Sequence, residues 1–240
     1  MRVIILAGGK GKRLYPYTTV LPKPLMPVGD VPILDIVLKQ LASYGFKNVT
    51  LAVGYLSDLI KTYVGTGKKY GLKVDYSFEE NPLGTIGPLT LVRDIKSTFL
   101  VMNGDLLTGI DLYSMLMHHR KSQSLATLAV KQRKVMVDYG VVNFDRNSRL
   151  FSYQEKPVLK YHVGTGICYF EPEVLKMIPR HRKFDFPDLV EIFIKRRLRM
   201  NIYETDSYWR DIGRWEDYLA AQKEFSKLKR RLFSRKSYRV

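Results

Sequence analysis

The stretch Ile5–Leu25, ILAGGKGKRLYPYTTVLPKPL, decides how the rest of the chain is read. It grows out of the apolar run Arg2–Leu6, which reads as a buried first strand. Three glycines, Gly8, Gly9 and Gly11, follow at once, then Arg13, then Pro16, Pro22 and Pro24 around Lys23. Glycines let a backbone approach a ligand closely and aim several N–H groups one way, which suits phosphate oxygens. Arg13 and Lys23 add charge-assisted bonds, and the prolines lower the entropy cost of holding Lys23 in place. A bare glycine-rich turn after a first strand has a plain structural reading as well. Two nucleotide signatures fail here. Arg13-Leu14-Tyr15 replaces the small residues of a dinucleotide fingerprint, and Val64–Tyr70 (VGTGKKY) has Thr62 and Lys69 where a P-loop needs glycine and Ser/Thr.

Outward from this stretch, apolar runs alternate with helical patterns, which predicts βαβ units and a mainly parallel sheet. Strands are expected at Asn48–Val53, Lys73–Phe78, Thr98–Met102 and Leu125–Val130. Helices are expected at Pro32–Gly45, with Asp30 as cap, at Ser57–Val64, with Ser57 capping, at Thr85–Arg93 and at Leu112–Lys121. The second half turns β-rich. Gly140–Lys156 reads as a hairpin around Asp145-Arg146-Asn147, Gly164–Phe170 and Met200–Glu204 as strands, and Pro187–Arg196 as a helix. From Arg214 the residues Trp215, Leu219, Phe225, Leu228 and Leu232 predict an amphipathic C-terminal helix.

The 240 residues carry 45% hydrophobic side chains, enough for a substantial core, and a net charge of +17. Seven of those charges lie in Lys227–Val240, which has no acid, so the remainder is still +10. Such a charge points to an anionic partner. No apolar run reaches the ~18–20 residues of a membrane span, and the N-terminus lacks a signal-peptide pattern. The single Cys168 excludes an intrachain disulfide and a Cys-rich metal site. A cytoplasmic protein is expected. Nucleic-acid binding is set aside because no recognised RNA-binding motif or interleaved basic-aromatic stretch occurs.

The full string resembles the signature of the sugar-1-phosphate nucleotidyltransferases, G-G-x-G-x-R-L-x-P-x-T followed by P-K-P. Further matches come in the family's order: Glu80–Leu89 (ENPLGTIGPL), Val101–Thr108 (VMNGDLLT), Tyr139–Val142 (YGVV), Gln154–Pro157 (QEKP), Gly164–Phe170 (GTGICYF) and Trp209–Tyr218 (WRDIGRWEDY). The resemblance spans about Met1 to Ala221. It looks most like the mannose- and heptose-1-phosphate guanylyltransferase branch.

That resemblance implies an α/β, Rossmann-like fold with a mainly parallel sheet, a β-rich sugar-binding portion and the basic C-terminal helix. The chain reads as one domain, with residues 1–130 mainly for the NTP, 131–213 for the sugar phosphate and 214–240 as basic helix and tail. It implies synthesis of an NDP-sugar and pyrophosphate from an NTP and a sugar 1-phosphate, with Mg2+. By resemblance Asp105 and Asp211 hold the metal, Arg13 contacts the triphosphate, and Lys23 the phosphates near the reaction centre. Leu6, Ala7, Gly8, Gly9, Gly11 and Lys12 would line the nucleotide, and Gly84, Thr85 and Gly87 would pass close to the base. Asn103, Gly104, Gly140, Glu155, Lys156, Gly164 and Thr165 would serve the sugar phosphate. Without that context, an Asp after a strand is a turn residue, and Glu155 and Lys156 are solvated surface.

Glu79 and Glu80 precede the base segment. A carboxylate only accepts hydrogen bonds, which suits the adjacent N1–H and N2–H2 of guanine and leans the reading to GTP. Uridylyl-, thymidylyl- or cytidylyl transfer to a glucose-type 1-phosphate stays open, as does a non-catalytic NDP-sugar-binding regulator. Lys12 stands where the family often has threonine, and Gly164 where many relatives have asparagine, which leaves sugar identity open. The long β-helix domain of some relatives is not expected. A homodimer is a further expectation. The basic tail reads as a solvated face or as a contact with anionic membrane. His118 and His119 are expected on a helix surface, His162 is left unassigned, Cys168 is expected in the core, and both tryptophans are expected to pack the C-terminal helix.

Overall fold

Val3, Ile4, Ile5 and Ala7 are all buried, so both faces of the first strand are covered, as in a parallel sheet flanked by helices. The structure is a computed structural model and describes residues 1–232. Its strands are β1 (Arg2–Ala7), β2 (Pro27–Val28), β3 (Val31–Pro32), β4 (Asn48–Val53), β5 (Lys73–Phe78), β6 (Phe99–Asn103), β7 (Leu106–Thr108), β8 (Ala126–Met136), β9 (Val141–Phe144), β10 (Leu150–Gln154), β11 (Val158–Phe170), β12 (Met200–Glu204) and β13 (Trp209–Asp211). Its helices are α1 (Ile33–Ser43), α2 (Ser57–Val64), α3 (Leu112–Ser122), α4 (Phe186–Lys195) and α5 (Trp215–Leu232).

Seven strands form one sheet in the order β12-β8-β11-β6-β1-β4-β5. Every neighbouring pair is parallel except the two made by β11, which runs against β6 and β8. Chain order changes direction at β1, with β4 on one side and β6 on the other. That is a switch point, where the carboxyl ends of neighbouring strands open a crevice. Alternation along β1 divides the core. Val3, Ile5 and Ala7 join the cluster that holds Leu34, Leu38 and Leu41 of α1. Ile4 joins the opposite cluster, with Phe99, Phe170 and Phe193. Burying a leucine or isoleucine of this kind contributes about 1.5–3 kcal/mol.

Local signals end the helices as expected in some places and not in others. Gly45, at φ +85°, terminates α1, and the Phe46 N–H donates to the Leu41 carbonyl at 3.2 Å. Asp111 caps α3 by accepting from the N–H groups of Tyr113 and Ser114 at 3.1 Å. Asp30 does not cap α1. It sits in the β2–β3 turn and pairs with Lys229 at 3.0 Å, while Pro32 precedes the helix. Ser57 is the first residue of α2 rather than its cap, with Leu56 before it in the left-handed region. The helix expected over Thr85–Arg93 is only a 3-10 turn at Gly87–Leu91, because Pro88 and two glycines favour a tight turn there.

Helix α5 turns its inner face to the β2–β3 turn. Phe225 lies under Gly29, Gln222 accepts from the Gly29 N–H at 2.7 Å, and Tyr218 donates to the Pro27 carbonyl at 2.8 Å. Phe225 is buried as expected, but Leu219 is 42% exposed and Ala221 takes the inner position. Leu232 ends α5, and Arg235, Lys236 and Arg239 lie outside the described residues. The apolar face of the helix is thus engaged by the protein itself. Trp215 opens α5 and stacks on Tyr17 at 5.2 Å, whereas Trp209 lies on β13 and donates its indole N–H to the Thr165 carbonyl at 2.7 Å. Cys168 is buried, as expected. His119 is not at the surface. It is 1% exposed, with Nδ1 2.7 Å from the Thr127 hydroxyl and Nε2 3.1 Å from Glu171.

Candidate active site

The loop after β1 runs across the crevice at the carboxyl ends of β4 and β6. The Gly8 carbonyl accepts from the Tyr55 N–H at 3.2 Å, just past β4. A Cβ on Gly8 would overlap Oε1 of Glu79, and one on Gly54 would come within 3.0 Å of its Cγ. Two glycines therefore make room for one glutamate. Its Oε2 accepts from the Leu83 N–H at 2.9 Å and fixes the start of the Pro82–Gly87 segment. Gly11, at φ +61°, turns the loop back, and the Thr18 hydroxyl donates to its carbonyl at 3.0 Å. Pro22 and Pro24 frame Lys23 in a 3-10 turn closed by the Leu25 N–H on the Pro22 carbonyl at 2.8 Å.

Asp105 follows β6, and the Gly104 N–H donates to the Leu6 carbonyl at 2.9 Å. Asp211 ends β13, whose antiparallel pairing with β7 sets it opposite Leu106. The Ile212 N–H donates to the Asp105 carbonyl at 3.0 Å. Two short strands thereby bring together two carboxylates that are far apart in sequence. Lys23 lies between them. Its ammonium donates to Oδ2 of Asp105 and stands 3.7 Å from Oδ1 of Asp211, with only 11% of the side chain exposed. Burial and the neighbouring Asp105 charge push the Asp211 carboxyl above its ordinary value, and Lys23 and Arg13 hold part of that rise back. Gly213 is the seat between Asp211 and Arg13: a Cβ there would lie 3.1 Å from Asp211 Oδ1 and 3.3 Å from Arg13 Nη2.

These groups share one cavity of about 1000 Å3. The nucleotidyl transferase family model matches residues 2–227. The chain belongs to the nucleotidyl transferase family. It is 35% identical over 221 residues to D-glycero-alpha-D-manno-heptose 1-phosphate guanylyltransferase of Campylobacter jejuni, covering 91% of this chain and 97% of that one. It is 33% identical over 241 residues to UTP–glucose-1-phosphate uridylyltransferase of Synechocystis, covering 92% of this chain but only 62% of that longer protein. Among solved structures, HddC from Yersinia pseudotuberculosis superimposes with a TM-score of 0.74 at 27% identity, over 93% of this chain and 99% of that one.

The cavity of this nucleotidyl transferase collects most of the residues singled out from sequence. Leu6, Ala7, Gly8, Gly9, Gly11, Lys12, Arg13 and Lys23 line it, together with Glu79, Glu80, Gly84, Thr85, Asn103, Asp105 and Asp211. Seven others lie outside it. Gly87 is buried, its N–H donating to the Phe184 carbonyl at 3.0 Å, and Gly104 sits against Ile5. Gly164 and Thr165 belong to β11, where Thr165 is fully buried and its hydroxyl donates to the Ala129 carbonyl at 2.9 Å. Gly140, Glu155 and Lys156 lie at the ends of the β9–β10 hairpin, with the Glu155 carboxylate accepting from the Tyr153 hydroxyl. His162 pairs with Glu204 at 2.7 Å, also outside the cavity.

The cavity adds residues that the sequence reading did not name, among them Lys10, Gly54, Tyr55, Asn81, Asp185 and Gly213. Gly54 and Tyr55 follow β4, so the rule placing ligands at strand carboxyl ends would have flagged them. Gly213 lies within the WRDIG motif. Asp185 shows locally only as a capping box with Asp188. Its Oδ1 also accepts from the Thr85 N–H at 2.9 Å, a contact no local pattern announces.

Nucleotidyl transferases are commonly metal-dependent. The Oδ1 atoms of Asp105 and Asp211 are buried and make no hydrogen bond within the described structure. Two inward-facing carboxylate oxygens without donors fit a hard divalent cation, which takes one or two carboxylates and fills its remaining positions with phosphate and water. The two donors are carboxylates with no imidazole or thiolate beside them in the cavity lining, a set that suits Mg2+ rather than zinc.

Proposed function

We propose that this chain transfers a nucleoside monophosphate from an NTP to a sugar 1-phosphate, releasing pyrophosphate. The observation that carries the reading is the arrangement of one cavity. A glycine loop with Arg13 and a Lys23–Asp105–Asp211 cluster line it together. The cavity volume of about 1000 Å3 is at the upper end for ligand sites, as two substrates require.

The chemistry asks for little beyond alignment and charge. A phosphate monoester has a second pKa of ~6, so a sugar 1-phosphate is largely dianionic at neutral pH. Its oxygen attacks the α-phosphorus, the bond to the bridging oxygen breaks, and pyrophosphate leaves with the electron pair. No general base is needed. Arg13 holds the leaving pyrophosphate and Lys23 the α-phosphate or the incoming phosphate. Asp105 and Asp211 would hold Mg2+, which when bound supplies Lewis-acid charge neutralisation to the phosphate oxygens. The backbone of Gly8, Gly9 and Gly11 cradles the triphosphate beside Lys12, and the Glu79–Thr85 wall, including Gly84, receives the base. Glu155, Lys156 and Gly140 would meet the sugar phosphate from the β9–β10 hairpin, with Asn103 at the cavity end.

For the base we propose guanine, and for the sugar a mannose-, heptose- or hexosamine-type 1-phosphate. Glu79 spends one oxygen on Leu83, which leaves Glu80, exposed at the rim, to accept from guanine N1–H and N2–H2. The similarity to a uridylyltransferase keeps UTP and a glucose-type 1-phosphate as the alternative. Each NTP assayed against a panel of sugar 1-phosphates, with coupled pyrophosphatase and phosphate detection, tests both readings. Pyrophosphate released only when NTP, sugar 1-phosphate and Mg2+ are all present is the expected result, and Asp105→Asn should remove most of it. Release from no pair at all would overturn the proposal.

We place this reaction in the cytoplasm; no helix among the described residues is long and apolar enough to cross a membrane. Contact with an anionic membrane would rest on charge alone, from Lys223 and Lys227 on the open face of α5, because its apolar face is engaged. Co-sedimentation with anionic vesicles at low salt supports that contact, and an intact chain left in the supernatant removes it.

A further inference from the structure

The segment proposed to receive the base has little structure of its own. Between β5 and the 3-10 turn at Gly87–Leu91 the chain forms no strand or helix. Its backbone groups still need partners where water is excluded. Glu79 supplies one locally, for the Leu83 N–H. Three more amides, those of Thr85, Ile86 and Gly87, find acceptors on the distant Phe184 and Asp185. The Ile86 and Gly87 N–H groups donate to the Phe184 carbonyl at 3.1 and 3.0 Å, and the Phe184 N–H donates back to the Leu83 carbonyl at 2.9 Å. The Thr85 N–H donates to Asp185 Oδ1 at 2.9 Å, and the Thr85 hydroxyl accepts from the Phe186 N–H at 2.7 Å. Gly84, at φ +83°, permits the approach: a Cβ there would lie 2.7 Å from the Phe184 carbonyl oxygen and 2.8 Å from Asp185 Oδ1.

Asp185 is itself held in place. It opens α4, where the Asp188 carboxylate accepts from its N–H at 2.7 Å. Leu189 and Phe193 root α4 in the core cluster against which Phe184 and Phe186 also pack. The aspartate thus passes the placement of a rooted helix to a segment that has no ladder. Among the hydrogen bonds between the two segments, its bond to Thr85 alone has a charged acceptor, and such bonds are roughly twice as strong as neutral ones.

The glycine loop is fastened separately. The Gly8 carbonyl accepts from the Tyr55 N–H and the Gly11 carbonyl from the Thr18 hydroxyl. Neither contact uses Asp185, so the two parts of a nucleotide would meet independently supported surfaces.

We infer that Asp185 is a positioning residue for the nucleoside: it holds Leu83–Gly87 against the start of α4 and so presets the base subsite without serving the phosphates. This rests on the proposed reading that the segment receives the base. A preset segment removes an ordering cost that the ligand would otherwise meet on binding.

Equilibrium titration of the full chain with GTP, UTP and inorganic triphosphate, in Mg2+, tests this. Asp185→Ala should raise the Kd of the preferred nucleotide about 10-fold, the low end for a charged hydrogen bond because 35% of the side chain is exposed. The Kd of inorganic triphosphate, which has no base, should stay unchanged. Asp185→Asn keeps an oxygen for the Thr85 N–H and remains a good helix cap, so it should bind as the wild type does. A carboxylate bonded to the base itself would lose with asparagine much of what it loses with alanine. Hydrogen exchange on the wild type needs no substitution: the preferred nucleotide should raise protection at amides 184 and 186 together with 85–87, and inorganic triphosphate should not. Nucleotide and triphosphate affinities that change together or not at all in Asp185→Ala, an Asp185→Asn variant as weak as Asp185→Ala, or protection gained at 85–87 without 184 and 186 would each overturn the inference while leaving the nucleotide reading in place. A wild type that binds neither nucleotide overturns both.

Discussion

Replacing Lys23 with methionine separates a metal-binding cluster from an ordinary buried ion pair. The ammonium stands between Asp105 and Asp211, with 11% of the lysine side chain exposed against 18% and 39% for the two carboxylates. At an effective dielectric of ~20, one charge pair at ~4 Å is worth about 4 kcal/mol. The exposure of Asp211 screens its share. Methionine keeps the stem and packing but leaves two carboxylates facing each other, and breaking such a buried pair costs about 3–5 kcal/mol when fully enclosed. Partial exposure argues for the lower side, about 2–3 kcal/mol. For a domain of this size each kcal/mol moves the thermal midpoint by ~2–4 °C, so Lys23→Met in chelator should melt roughly 5–10 °C below the wild type.

Magnesium should then distinguish the two readings. The variant keeps both carboxylates and has lost the cation competing for them, so it should bind Mg2+ more tightly and recover most of the lost stability. Occupancy at ~100-fold over Kd supplies about 2.7 kcal/mol. Catalysis should not recover, because a phosphate-facing charge is missing; by analogy with removing one transition-state donor, kcat should fall by ~100- to 1000-fold. The assay is differential scanning fluorimetry with chelator and with Mg2+, alongside pyrophosphate release. A midpoint loss equal in chelator and magnesium would refute the reasoning, since Asp105 and Asp211 would then not be exchanging a lysine for a metal.

Three further outcomes follow from the geometry. Burial holds the His119 imidazole below its ordinary value, against the opposing pull of Glu171, so the unfolded chain binds this proton first. Stability should therefore fall as pH drops below ~6.5 towards the lower folded value, and midpoints measured against pH should give a flatter slope for His119→Gln. Gly29→Ala should cost about 1–3 kcal/mol in denaturant unfolding, because φ is +62° and the new Cβ would lie 2.5 Å from Phe225 Cδ1; an unchanged stability would show that α5 is not held by this turn. Glu80→Gln should raise KM for GTP roughly 10- to 100-fold, as loss of one charged hydrogen bond predicts, and leave UTP nearly unaffected; equal effects on both would remove Glu80 from base recognition.

What sequence could reveal follows from how far each signal reaches. The glycine loop and Asp105 follow the carboxyl ends of β1 and β6, the end that strand direction in a parallel sheet assigns to the crevice; Lys23 stood out by its charge between two prolines and reaches the crevice from a 3-10 turn, and the metal role of Asp105 came by resemblance. Asp211 was legible only by resemblance. Its position beside Asp105 depends on the pairing of β13 with β7, two three-residue strands too short to show a period. His119 shows the reverse. Leu112, Met115, Leu116 and His119 are buried together at helical spacing, so the period did mark it as inward-facing, and residue type argued wrongly for the surface. Asp30 was read as a cap from its place near a helix start, yet its partner is Lys229, at the far end of the chain. The hairpin is the instructive case. Its strands, turn and amphipathic division could all be read from Gly140–Lys156, but local pattern fixes only which side is apolar and not what that side meets. Gly140, Glu155 and Lys156 therefore travel with an element whose placement is set by contacts outside its own sequence.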